Sequence, residues 1–139
     1  MDTLYVRDLM TPDPFTVGLE DDLATVYELM ETRHVRHIPV VGRDGALEGL
    51  VSQRDLARTV LGQVSELPVG NQLQLLRSIK VDQVMQREVE SIDPNADLRD
   101  AGQVILDNKF GCLPVVEGDR LAGILTEADF VRYLLQILQ

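Results

Sequence analysis

Tryptophan is absent from the 139 residues, and cysteine occurs once, at Cys112. A single thiol excludes an internal disulfide framework. No apolar run approaches the roughly 20 residues that a membrane-crossing helix needs. No charged-then-apolar leader is visible where Met1-Asp2-Thr3 runs into mixed sequence, so a cytoplasmic protein is expected. Positive charge is scarce as well: 13 Lys and Arg face 23 Asp and Glu, a formal charge of -10. Nucleic-acid backbones and anionic membrane surfaces are held by clustered cations, so neither is an expected partner. No nucleophile–base pair and no paired acids stand out, so neither an enzyme activity nor a catalytic residue is expected. His34 and His37 lie three apart, but no Cys or acidic residue at suitable spacing joins them, and no metal site is expected.

What is present is a repeat. Gly49-Leu50-Val51-Ser52-Gln53-Arg54-Asp55 returns as Gly123-Ile124-Leu125-Thr126-Glu127-Ala128-Asp129. Each copy follows an apolar run with a proline, His37-Ile38-Pro39-Val40-Val41 and Cys112-Leu113-Pro114-Val115-Val116. Upstream, Val6-Arg7-Asp8-Leu9-Met10 answers to Val81-Asp82-Gln83-Val84-Met85 at a shift of 75, as does Thr16-Val17 to Ser91-Ile92. After the proline runs the shift is 74. The lost residue falls between Gly42-Arg43-Asp44-Gly45 and the shorter Glu117-Gly118-Asp119, where a hairpin tip tolerates it.

Periodicity supplies the elements. Leu23, Val26 and Met30 share one helical face, and Leu98, Ala101 and Ile105 repeat the spacing. Asp93-Pro94 reads as an N-cap with proline in the first helical position. Glu20-Asp21-Asp22 opens a helix, where its charge suits the dipole. Strands are expected near 37–41 and 47–51, then a helix from Ser52 or Gln53 turning Leu56, Val60 and Leu61 inward. Pro39 and Pro114 argue for edge or terminal strand positions. The boundaries are 1–62 for the first repeat, 63–78 for a connector with a short helix through Leu73, Leu75 and Leu76, and 79–139 for the second. A half of about 60 residues has a thin core alone, so two halves are expected to bury their sheet faces against each other.

Ser52 with Asp55, and Thr126 with Asp129, fit helix capping, which contributes roughly 0.5–2 kcal/mol per helix and needs no ligand. The same geometry suits a nucleotide: a helix N-terminus and hydroxyl for phosphate, a carboxylate one turn in for ribose hydroxyls. The preceding glycine lets a ligand or another backbone approach closely.

The whole pattern, V-x-D-x-M (with Gln83 in place of the aspartate in the second copy), amphipathic helix, h-P-V-V, hairpin and G-h-h-[ST]-x-x-D, twice, resembles a tandem cystathionine-β-synthase (CBS) domain pair, a standalone Bateman module. The resemblance covers about residues 6 to 138. It implies an α+β fold of two pseudo-symmetric β-α-β-β-α repeats packed sheet to sheet into one module, and regulatory binding of adenosine ligands (AMP, ADP, ATP or S-adenosylmethionine) with no required cofactor. It assigns Asp55 and Asp129 to ribose in two clefts, and Ser52 and Thr126 to ribose or phosphate. Ile38, Pro39, Leu113 and Pro114 would wall the adenine, with Thr16, Val17, Ser91 and Ile92 completing the pockets. Arg36, His37 and Arg54 in the first site, and Cys112 in the second, are further contacts.

The two sites differ in charge. Arg33-His34-Val35-Arg36-His37 answers to Asn108-Lys109-Phe110-Gly111-Cys112, Arg54 to Ala128 and Gln53 to Glu127. Unit charges 4 Å apart interact by about 4 kcal/mol at an effective dielectric of 20, while distant ones are screened beyond about 8 Å. The local cluster outweighs the global charge, so the Asp55 site is expected to prefer the more phosphorylated ligand and the Asp129 site to bind weakly or stay empty. Cys112, on an apolar strand, reads as a buried inert thiol. The last helix, with Phe130, Val131, Tyr133, Leu134, Leu135, Ile137 and Leu138, is apolar on most sides, which implies a homodimer through residues 130–138 or a docked partner. The functional expectation is a ligand sensor whose output goes to an unidentified effector protein; the alternative is a structural dimerisation or docking adaptor with degenerate clefts.

Overall fold

The computed structural model describes residues 3–64, 69–108 and 111–139, the backbone alone at 62–64 and 69–71. Lys109, Phe110 and the 65–68 stretch of the connector lie outside the described residues. The elements are α1 (Val6–Leu9), β1 (Thr11–Pro12), α2 (Leu23–Arg33), β2 (His37–Val41), β3 (Leu47–Ser52) and α3 (Gln53–Val64). There follow α4 (Val69–Ser78), a 3-10 turn (Val81–Gln83), α5 (Leu98–Asn108), β4 (Cys112–Glu117), β5 (Arg120–Thr126) and α6 (Glu127–Ile137). The result is a mixed α and β protein of two repeated halves.

In space the halves cut across the repeats. One compact unit is Phe15–Val89; the other joins Met1–Pro14 to Glu90–Gln139. In the first, β2 and β3 pair antiparallel, with Pro39 opposite Leu50. Val17 lies parallel to Val40 and donates its N–H to the Pro39 carbonyl at 3.1 Å. That bond is on the side of Pro39 away from β3, so the missing proline N–H takes nothing from the hairpin. On the far side of β3, Leu50 exchanges two backbone hydrogen bonds with Gln86, at 3.0 and 2.9 Å. The second unit repeats the plan. Ile92 donates to the Pro114 carbonyl at 3.0 Å, β4 pairs with β5, and β1 lies on the outer side of β5 with Thr11 opposite Ile124. So the segment after the first V-x-D-x-M completes the second repeat's strand, and the segment after the second completes the first's.

This exchange explains the motif glycines. A Cβ on Gly49 would stand 2.6 Å from the Gln86 carbonyl and 2.8 Å from the Met85 sulfur. On Gly123 it would stand 2.8 Å from both the Thr11 carbonyl and the Met10 sulfur. The close approach that the glycine permits is that of another backbone.

Leu23, Val26, Met30, Ile38, Val40, Val51, Leu56 and Leu76 form the core of the first unit, closed by Val81 and Met85. Val6, Leu98, Ala101, Ile105, Leu113, Val115 and Leu125 form that of the second. Two expectations, for the start of α5 and for Leu61, are corrected. The α5 helix starts at Leu98, not behind Asp93. The carboxylate of Asp93 instead accepts from Asn95 N–H at 2.8 Å, and the turn's Pro94 and Ala96 carbonyls receive Arg7 and Val6 N–H. Those carbonyls are committed to α1, and Asp97 takes Arg99 N–H at the true helix start. The acidic stretch does open α2: Asp22 caps it through Thr25 N–H, while Asp21 holds Gly18 N–H and Glu20 pairs with Lys80. Leu61 points outward, 70% exposed, because the core stripe of α3 is taken by Leu56 with Val60 beside it.

Candidate functional site

Each repeated motif ends a strand and opens a helix, and its aspartate turns back onto that junction. Asp55, in the first turn of α3, is only 6% exposed. Its Oδ2 accepts from Ser52 N–H at 2.8 Å and from the Ser52 hydroxyl at 3.0 Å, while Asp55 N–H donates to Ser52 Oγ at 3.3 Å. This is the reciprocal cap that the spacing predicts. Among the described residues the other oxygen, Oδ1, meets only the Gln86 side-chain amide, at a long 3.4 Å.

Asp129, 5% exposed, repeats the cap: Oδ2 accepts from Thr126 N–H at 2.9 Å and the Thr126 hydroxyl at 3.3 Å. Its Oδ1 is held differently. The Thr11 hydroxyl donates at 3.1 Å and the Arg132 guanidinium at 2.7 Å. A carboxylate offers about four lone-pair sites. Among the described residues Asp129 receives four donors, which fills it, and Asp55 receives three, one of them long.

The remaining candidates fall into two groups. Ile38 and Leu113 are fully buried in the cores of their own units, and Pro39 and Pro114 are buried too, so these side chains offer little free surface. Val17 and Ile92 are tied to β2 and β4 through their backbones, with Thr16 and Ser91 exposed beside them. Arg36 and Arg54 are exposed at the mouth of the β2–α3 junction, where the Arg36 carbonyl accepts Gln53 N–H at 2.8 Å; His37 is half-buried. In the other unit the equivalent bond joins Glu127 N–H to Gly111 at 3.1 Å, with no cation in either place. Arg33 stacks on the Phe15 ring at 4.8 Å. Cys112 is buried, and desolvation first, then the nearby Asp129 carboxylate, pushes its thiol up to about 12. Such a thiol is a poor nucleophile.

Thr11, Gln86 and Arg132 were not legible as site residues. Thr11 and Gln86 do hold equivalent places at the 75-residue shift, one position beyond the V-x-D-x-M segments. Only the exchange of those segments brings them to the aspartates.

A match to the CBS domain family covers residues 6–62 and 81–136. The chain belongs to the CBS domain family. AcuB from Vibrio cholerae shares 34% identity and superposes with a TM-score of 0.84, over 99% of this chain and 94% of that one. CBSX2 from Arabidopsis thaliana is 32% identical, TM-score 0.80, covering 99% and 98% of the chains. A structure of CBSX2 in complex with AMP is 28% identical, TM-score 0.81, covering 97% and 98%. The MJ1225 protein of Methanocaldococcus jannaschii is 30% identical over 93% of this chain, which spans 42% of that protein's length. Among the described residues no helix is long and apolar enough to cross a membrane, and no group of His, Cys, Asp and Glu could hold a metal.

Proposed function

We propose that this CBS protein is a regulatory module binding an adenosine ligand of the AMP, ADP, ATP or S-adenosylmethionine class, with Asp55 as its ribose acceptor. The observation that carries the reading is the spare capacity of Asp55 Oδ1, buried yet held among the described residues only by a 3.4 Å amide contact. Two ribose hydroxyls need such an acceptor. Arg36 and Arg54 stand exposed on the same strand–helix junction and supply the charge for a phosphate. The AMP held by CBSX2, a relative over nearly the whole chain, supports the ligand class. Ligand changes the output only through different affinity for two states of the module or its complex, which passes the signal to an effector protein.

Val131, Leu134, Leu135, Ile137 and Leu138 of the last helix and its end are 51–71% exposed, an apolar face that the chain itself leaves uncovered. This favours a homodimer through residues 130–138, and keeps alive the adaptor reading in which dimerisation or docking is the whole function. Titration calorimetry with AMP, ADP, ATP and S-adenosylmethionine separates them. The sensor reading predicts saturable heat with at least one, and no heat with any at physiological concentration leaves the adaptor.

A further inference from the structure

Both copies of the motif carry an arginine three residues after the aspartate, Arg58 after Asp55 and Arg132 after Asp129. Only one is used. Arg132 forms an ion pair with Asp129 at 2.7 Å, whereas no ion pair among the described residues reaches Asp55. The donors from the crossing segments differ: the Gln86 amide lies 3.4 Å from Asp55 Oδ1, and the shorter Thr11 hydroxyl 3.1 Å from Asp129 Oδ1, which also takes the guanidinium. The guanidinium bond is charge-assisted and short, the strongest that this carboxylate makes. A ribose hydroxyl arriving at Asp129 would have to displace it.

We infer that Arg132 is a built-in latch, occupying the ribose acceptor of the second site and thereby limiting the chain to one adenosine ligand. This rests on the reading of Asp55 and Asp129 as ribose acceptors and adds which residue closes the second. The latch is reversible in principle, because the Arg132 side chain is 64% exposed while its partner is buried. It also makes site number a property of one side chain, present in both copies and engaged in one.

The test is calorimetric stoichiometry on the full chain with AMP, ATP and S-adenosylmethionine as separate titrants. Wild type should bind one ligand per chain and Arg132→Ala two. Asp129→Asn added to Arg132→Ala should return the count to one, locating the added site. A thermal melt of Arg132→Ala close to wild type shows that the fold is intact. Two ligands on wild type, or one on both wild type and Arg132→Ala, overturns the latch and leaves the sensor reading standing. No binding to either protein overturns both. Binding to Arg132→Ala alone, lost with Asp129→Asn, supports the latch and moves the functional site to Asp129.

Discussion

Cys112 shows how far one residue's surroundings set its chemistry. Its pKa is pushed up to about 12 from an ordinary 9.0, by burial first and then by Asp129. At pH 8 it carries roughly a thousandth of an ordinary cysteine's thiolate. Iodoacetamide should therefore label the native protein far more slowly than the guanidinium-unfolded chain, and labelling at equal rates would contradict the burial. The sign of the pH dependence follows. The unfolded thiol releases its proton first, so stability is undiminished below about pH 9 and falls as pH rises from 9 toward 12. Urea midpoints should drop more steeply over that range for wild type than for Cys112→Ala. Asp55 and Asp129 make the complementary point. Their caps were legible from S/T-x-x-D spacing, whereas their burial and the remaining donors were not, because spacing along one helix does not reveal a side chain arriving from a distant segment.

Among the elements, strands β2 to β5 follow from short apolar, β-branched runs bounded by turn residues, and helices α2 and α5 from an apolar period of 3.6, which fixes the face that meets the core. The start of α5 does not. A Pro-containing turn resembles a cap until its carbonyls are known to be engaged by α1. The exchanged segments are the other element that periodicity could not place, and the motif glycines were the trace that they left. A backbone carbonyl at 2.6 Å from Gly49 and 2.8 Å from Gly123 cannot swing aside as a side-chain tip can. Gly49→Ala and Gly123→Ala should each cost about 1–3 kcal/mol through the shift forced on the crossing segment. Urea denaturation measures it, and a change below about 0.5 kcal/mol, the usual range for an uninvolved surface position, would contradict the packing.

For the whole molecule, composition argued against nucleic acid and membrane surfaces, and the doubled motif led to the CBS family. The last helix and its end leave an exposed apolar run, Val131, Leu134, Leu135, Ile137 and Leu138. If it is a dimer face, Leu135→Glu should shift the mass seen by sedimentation equilibrium from two chains toward one without lowering the helical signal. A wild-type protein that sediments as one chain at micromolar concentration would contradict the dimer. The repeat also hid an inequality: two motifs of one spacing differ in what completes them, Gln86 and open charge in one unit, Thr11 and Arg132 in the other.

That inequality is tested most directly by titrating adenosine ligand into Asp55→Asn and Asp129→Asn side by side. Losing a charged acceptor costs about 1.5–3 kcal/mol per hydrogen bond, roughly a 10- to 150-fold fall in affinity. The account predicts that fall for Asp55→Asn and near wild-type affinity for Asp129→Asn. Full affinity in Asp55→Asn, with the loss at Asp129→Asn instead, would contradict it.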